Sequence, residues 1–113
     1  MEIIREKITL ARLQELAQER FGDMVKAVVD VERGIMAIDG ELHSDEEALL
    51  LEDGSHQCDL WGINLYPEVN GQDWLEYDSM INLRPSQGNR SRGIDDPAVR
   101  QRIALVAEKL VAR

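Results

Sequence analysis

Apolar residues recur every three to four positions near the N-terminus, which is the spacing of one face of an α-helix. The residues on this face are Leu10, Leu13, Leu16, Ala17 and Phe21. Thr9 can accept a hydrogen bond from a free N–H group of the first turn, and Gly22 suits the position that follows a helix end. The pattern therefore predicts an amphipathic helix from Thr9 to Phe21.

A second helical stripe lies at the C-terminal end of the chain. It comprises Val99, Ile103, Val106 and Leu110. The pair Asp96 and Pro97 is typical of a helix start, because aspartate caps the first N–H groups and proline has no N–H to leave unpaired. We expect a helix that begins at Pro97 and continues to the C-terminus.

Between the two helices, short apolar runs alternate with turn residues, as in a β-sheet. Residues 24–31 are rich in valine and predict a strand, and a turn at 32–34 leads into a second strand at 35–42. The segments 60–66 and 77–83 predict two further strands, separated by a proline and an Asn-Gly turn. Strands in this order pair mainly as antiparallel hairpins.

The last two predicted strands share the pattern Ile-Asn-Leu-x-Pro, at residues 63–67 and 81–85. Because side chains alternate between the two faces of a strand, the Ile and Leu of each copy should face the core. Asn64 and Asn82 should then point away from it.

Residues 44–54 fit two different structures. Ser44 to Glu47 matches a capping box at the start of a helix, ahead of an alanine and three leucines. The sequence Glu-Asp-Gly-Ser at 52–55 is equally suited to a hairpin turn. We favour a short helix, and the hairpin stays open.

These elements predict an α+β fold, a mostly antiparallel sheet of about four strands with N- and C-terminal helices packed on one face. The chain has 113 residues, a length that typically forms one core. We therefore expect a single domain, residues 1–113.

The formal net charge is −9, and the acidic residues are concentrated in the middle of the chain, where no lysine or arginine lies between Arg33 and Arg84. We do not expect a nucleic-acid partner, because such affinity comes mainly from neutralising phosphates. The single cysteine, Cys58, excludes an internal disulfide and a multi-cysteine zinc site. No apolar run is long enough to span a membrane, and the charged N-terminus does not resemble a secretory signal. These features predict a cytoplasmic protein without membrane contact.

The segment from Arg84 to Gly93 is unusually polar and contains three arginines. Guanidinium groups suit phosphates and carboxylates, and the start of the following helix adds partial positive charge. We predict an anion-binding loop formed by Arg84, Gln87, Asn89, Arg90, Ser91 and Arg92. An alternative stays open, in which Asp95 and Asp96 occupy the helix start and the arginines pair with acids of the middle segment.

A second polar cluster follows if the strand that begins at Ile35 continues as far as His43. This polar sheet face would comprise Asp39, Glu41, His43, Asn64, Asp78 and Asn82. An exposed strand face commonly alternates in this way, so we interpret the cluster as solvated surface and predict neither a metal site nor a cofactor. No nucleophile and base share a recognisable spacing, so the sequence identifies no catalytic residue.

Three segments carry a resemblance to a known family: residues 40–54, 59–67 and 81–92. Along nearly its whole length, the chain resembles a family of short, uncharacterised prokaryotic proteins of unknown function. The resemblance implies a prokaryotic, single-domain protein and supplies no catalytic residue.

The leading functional hypothesis is a binding or interaction module. This hypothesis is compatible with a homodimer. Its arginine-rich loop would engage an anionic small molecule or an acidic protein segment. The rival hypothesis is a small enzyme acting on a phosphorylated metabolite or nucleotide. A pocket joining the loop to the polar sheet face would favour the enzyme, whereas an open flat face would favour the module.

Overall fold

The computed structural model describes all 113 residues, from Met1 to Arg113. Its three α-helices are α1 (Leu10–Arg20), α2 (His43–Glu52) and α3 (Pro97–Leu110). Its strands are β1 (Glu2–Ile4), β2 (Ile8–Thr9), β3 (Val25–Asp30), β4 (Ile35–Ile38), β5 (Leu60–Leu65), β6 (Leu75–Glu76) and β7 (Val111–Ala112). Short 3₁₀ turns occupy residues 57–59, 72–74, 80–82 and 85–87.

Five strands form one antiparallel sheet in the order β1-β4-β3-β5-β6. The remaining two, β2 and β7, form a small parallel pair that joins the N-terminal region to the C-terminus. The predicted α+β class with a mostly antiparallel sheet is confirmed. The edge strand β1 was not predicted, because three residues are too few to show a period.

The N-terminal helix α1 forms as predicted. Thr9 Oγ1 accepts a hydrogen bond from the Arg12 N–H at 3.1 Å, and Gly22 follows the helix with φ at +98°. The buried residues of α1 are Leu13, Leu16 and Ala17. The periodic apolar stripe therefore marks the face that packs on the sheet.

The C-terminal helix α3 also begins as predicted, with Pro97 at its first position and Asp96 Oδ1 accepting from the Ala98 N–H at 2.9 Å. Its buried residues are Ile103, Ala107 and Leu110. Together with α1 it packs on alternate residues of β3, which are Val25, Ala27 and Val29. The prediction that the two terminal helices share one face is confirmed.

The opposite face of the sheet is covered by α2. Leu50 of this helix is fully buried in a second core cluster with Val28, Ala37 and Leu60. The predicted helix at residues 44–54 is confirmed, and the hairpin alternative is wrong. The sequence analysis interpreted this face as solvent-exposed surface. Because α2 covers it, the polar residues on this face are partly buried.

The predicted strand at 35–42 is wrong in its second half, because β4 ends at Ile38. Asp39 adopts φ of +65°, a left-handed conformation that breaks the strand and that aspartate tolerates better than most residues. The chain then turns into α2, whose first residue is His43. Asp39, Glu41 and His43 therefore do not project from one strand face, which corrects the predicted polar sheet face.

The predicted strand at 77–83 is also wrong. Pairing with β5 ends at Glu76, which lies opposite Asn64, and residues 80–82 form a 3₁₀ turn. The side chain of Asn82 takes the place of the missing strand: its Oδ1 accepts from the Gly62 N–H at 2.8 Å, and its Nδ2 donates to the Gly62 carbonyl at 2.9 Å. Asn82 is consequently fully buried, contrary to the predicted outward orientation, while Leu83 is 45% exposed.

Candidate functional site

The first arginine of the predicted anion-binding loop is engaged inside the protein. Arg84 is buried and donates to the carbonyl oxygens of Ile81 at 2.9 Å, Gln57 at 2.7 Å and Leu60. Its guanidinium also lies 4.6 Å from the centre of the Trp61 ring. With its donors used in this way, Arg84 fixes the loop to the start of β5 and presents no free fork to a ligand.

Asn89 holds the middle of the same loop. Its Nδ2 donates to the carbonyl oxygens of Asn82 at 2.7 Å and Gly93 at 2.8 Å. Asp95 accepts from the Ser91 hydroxyl at 2.7 Å and the Arg90 N–H at 2.9 Å, and these bonds lower the pKa of its carboxyl. An internal carboxylate therefore already occupies the loop next to the start of α3.

The remaining loop side chains differ in what they contact. Gln87 Nε2 donates to the Cys58 carbonyl at 3.2 Å, so this amide is part of the loop anchor. Arg90 is exposed and forms no ion pair, whereas Arg92 Nε lies 2.8 Å from Asp78 Oδ1. Both partners of that pair are about half exposed, so the pair contributes little to stability and can open for a ligand.

Arg92 lies at the edge of a cleft of about 400 Å³ on the α2 side of the sheet. The polar side chains that line this polar cleft include Lys26, His43, Asn64, Glu76, Asp78 and Arg92. Leu42 and Met80 also line it, and each is more than half exposed. A volume of this size is in the range of small-molecule sites.

The polar cleft brings together three residues of the predicted polar sheet face, His43, Asn64 and Asp78. Asp39 and Glu41 lie elsewhere, around Arg20, where Asp39 Oδ1 is 3.3 Å from Arg20 Nε. Lys26 was missed by the sequence analysis, although a single lysine within a valine-rich strand was a signal for it.

Three side chains form a row across the floor of the cleft. Asn64 of β5 is the register partner of Lys26 on β3 and of Glu76 on β6. Neighbouring side chains in such a row have Cβ atoms about 5 Å apart. Asn64 Nδ2 donates to Glu76 Oε1 at 2.8 Å, and the Tyr66 hydroxyl donates to the same oxygen at 3.2 Å. The row therefore runs from a cation through an amide to a carboxylate that already has two donors.

Lys26 is the charge in this row that has no partner. Its ammonium forms no ion pair and lies 5.2 Å from the centre of the Phe21 ring. Glu76 is satisfied by its two donors and Asp78 by Arg92. The floor thus carries one positive charge, on Lys26, and one negative charge, on Glu76, and of these two groups only Lys26 has no hydrogen-bond or ion-pair partner.

The start of α2 adds to that positive charge. The predicted capping box is not formed: Leu42 precedes the helix, and no side chain caps it. Both His43 and Ser44 line the cleft, so the uncapped end of the helix opens onto it. Free N–H groups at a helix start carry partial positive charge and bind anions.

Glu46 in the first turn of α2 does not cancel this effect. It is fully buried, and burial raises the pKa of its carboxyl to about 9, so the group is neutral at pH 7. Its Oε2 accepts from the Gly40 N–H at 2.9 Å. Asp45, the other acid of this turn, lines a different surface depression, around Asp39.

His43 is buried at the base of the cleft. Its Nε2 lies 2.8 Å from the Ile63 carbonyl oxygen, so this nitrogen carries a proton and donates. Burial is the main cause that lowers the pKa of His43, and the hydrogen bond to Ile63 opposes it. The ring is therefore an uncharged imidazole at neutral pH.

The sequence was compared with known proteins and families. A family described as Protein of unknown function (DUF5674) matches residues 2–110. No curated protein and no solved structure matches the chain. No helix of the structure is long and apolar enough to cross a membrane, and no group of three or more His, Cys, Asp or Glu side chains is placed to hold a metal ion.

Proposed function

Because the chain belongs to the DUF5674 family of proteins of unknown function, we propose its role from the geometry of the polar cleft: it binds a small anionic ligand there. The observation that carries this proposal is the unpaired Lys26 beside the uncapped start of α2, within one cleft. Both features attract negative charge: Lys26 forms no ion pair, and no side chain caps the start of α2.

A ligand in the cleft would meet three kinds of group. The N–H groups at the start of α2 and the Lys26 ammonium would hold its anionic group. Arg92, once released from its half-exposed pair with Asp78, would close over it from the rim. Leu42 and Met80 would contact the apolar part of the ligand. This arrangement supports a small molecule over an acidic protein segment, because the positive groups lie within the cleft.

The rival enzyme hypothesis also has one specific support. The polar cleft joins Arg92 of the loop to Asp78 and His43, and a neutral imidazole can accept a proton. Turnover of phosphorylated metabolites, lost in His43→Gln, would establish that hypothesis. Binding without turnover would leave the protein a binding module.

Binding can be tested by titrating the protein with inorganic phosphate, sulfate and phosphorylated metabolites while following heat release and the thermal midpoint. A ligand at a hundred times its Kd adds about 2.7 kcal/mol of stability, which moves the midpoint by several degrees in a domain of this size. We expect Lys26→Met to abolish the shift and Arg92→Ala to weaken it.

Arg90→Ala is the matched control, because Arg90 belongs to the same loop, is exposed and does not line the cleft. Its affinity for the anion should equal that of the wild type. If Arg90→Ala weakened binding and Lys26→Met did not, the ligand would lie on the loop surface and the proposal would be wrong. Cytoplasmic location, prokaryotic origin and homodimer formation stay predictions from the sequence.

A further inference from the structure

The floor of the polar cleft holds opposite charges at its two ends. Lys26 and Glu76 are the register partners of Asn64 on its two sides, in β3 and β6. Asn64 Nδ2 donates to Glu76 Oε1 at 2.8 Å and to the Asp78 carbonyl oxygen at 3.4 Å. Both acidic residues therefore lie on the β6 side of Asn64, and Lys26 lies on the other side.

Each of the two carboxylates keeps one oxygen without a partner. The two donors to Glu76, from Asn64 and Tyr66, both reach Oε1, so Oε2 forms no hydrogen bond. Arg92 Nε donates to Asp78 Oδ1 at 2.8 Å and leaves Oδ2 free. Glu76 is exposed and the Asp78 side chain is about half exposed, so a ligand in the cleft can reach the β6 side.

The charged side chains that line the cleft are two cations, Lys26 and Arg92, and two anions, Glu76 and Asp78. Their charges cancel, so the cleft is divided into a positive and a negative end. A ligand with negative charge alone would be attracted at the Lys26 end and repelled by the free carboxylate oxygens at the β6 end. A ligand that carries both charges would be attracted at both ends.

We propose that the ligand is a zwitterion, an acid that also carries an ammonium group on a short carbon chain. Its acidic group lies at the Lys26 end and its ammonium donates to Glu76 Oε2. The inference rests on the proposed function, because the acidic group is held by the groups described there. It adds that the negative end of the cleft selects among anions for those with an amino group.

The spacing of the strands sets the length of the carbon chain. Neighbouring strands lie about 4.8 Å apart, so the backbones of β3 and β6, with β5 between them, are separated by about 10 Å. A charged hydrogen bond takes about 2.8 Å at each end. With each head group above its own strand, about 4–5 Å remains between the two charges of the ligand. This distance fits a chain of two or three carbons, which Leu42 and Met80 would contact.

The probes are taurine and ethanesulfonate, which share a sulfonate on a two-carbon chain and differ by the ammonium of taurine. Titration calorimetry at pH 7 measures the affinity of the protein for each. We expect taurine to bind about tenfold more tightly, the gain typical of one hydrogen bond between charged groups. Ethanesulfonate binding more tightly than taurine, or equally tightly, would overturn the inference.

Glu76→Gln tests which group recognises the ammonium. Glutamine keeps an oxygen for the donors from Asn64 and Tyr66 but removes the negative charge, so taurine should fall to the affinity of ethanesulfonate. The matched control is Glu68→Gln, because Glu68 is exposed and does not line the cleft, and it should keep the tenfold preference. A preference for taurine that persists unchanged in Glu76→Gln would contradict the assigned role.

The same titrations separate this inference from the proposed function. If both sulfonates bind the wild type equally and Lys26→Met abolishes both, the zwitterion inference fails and the proposed function stands. If neither sulfonate binds, and sulfate and phosphate do not bind either, both fail.

Discussion

Replacing Asn82 with leucine should destabilise the protein strongly, because the Asn82 amide stands in for a missing strand beside β5. This amide accepts from the Gly62 N–H and donates to the carbonyl oxygens of Gly62 and of Arg92, the last at 3.0 Å. Leucine has a similar branched shape, is larger and can make none of these bonds. Each lost bond contributes about 1 kcal/mol, and more where the stranded partner stays buried, so the loss should be about 3–5 kcal/mol.

The assay is urea unfolding followed by the fluorescence of Trp61 and Trp74, both of which are buried. The midpoint should fall without a change in slope, as for a change in stability alone. The control is Asn70→Leu, because Asn70 is exposed in the loop between β5 and β6 and its replacement should change stability by less than about 0.5 kcal/mol. A loss below about 1 kcal/mol for Asn82→Leu would refute the reasoning.

Two further predictions concern carboxyl groups with shifted pKa values. Burial raises the pKa of Glu46 to about 9, so the folded protein keeps a proton that the unfolded chain releases above its ordinary pKa of 4.5. Glu46→Gln should therefore stabilise the protein, by on the order of 2 kcal/mol at pH 8 and by less at pH 5. Urea unfolding measures this increase in the free energy of unfolding, and equal increases at the two pH values would contradict the prediction. Asp53 accepts from Arg5 and Arg33, which lower its pKa to about 2. At pH 6 the thermal midpoint of Asp53→Asn should lie below that of the wild type, and the difference between the two midpoints should shrink as the pH falls towards 2. An unchanged midpoint at pH 6 would show that the exposed ion pairs of Asp53 are fully screened.

The helices could be predicted from sequence because their signals are local. Thr9 and the pair Asp96–Pro97 lie next to the N–H groups they serve, and each apolar stripe lies within its own helix. The end of β4 could not be predicted in the same way. It depends on the left-handed conformation of Asp39, which favours the turn into α2. The alternation of apolar and polar residues does not indicate this conformation.

The second Ile-Asn-Leu segment shows how one pattern can serve two structures. Residues 63–65 lie in β5, whereas residues 81–83 have the same letters and form a turn that ends in exposed Leu83. The difference arises because Asn82 bonds to the Gly62 backbone through its side chain. A contact between residues 20 positions apart is not encoded in the local pattern.

The candidate site was predicted in part. Asn64 and Asp78 were predicted to belong to the polar sheet face, and both line the cleft. His43 also lines it, but from the start of a helix and not from the strand that the sequence favoured. The internal role of Arg84 could not be predicted, because its carbonyl partners at Gln57 and Leu60 are distant in the sequence.

The most direct test of anion binding in the cleft is to follow the backbone amide signals by NMR while adding sulfate. We predict that the largest shifts occur at His43 and Ser44, which line the cleft at the uncapped start of α2. Shifts of that kind would place the anion beside Lys26. Shifts concentrated instead at Arg90, Ser91 and the start of α3, with none at His43 or Ser44, would contradict the proposed site.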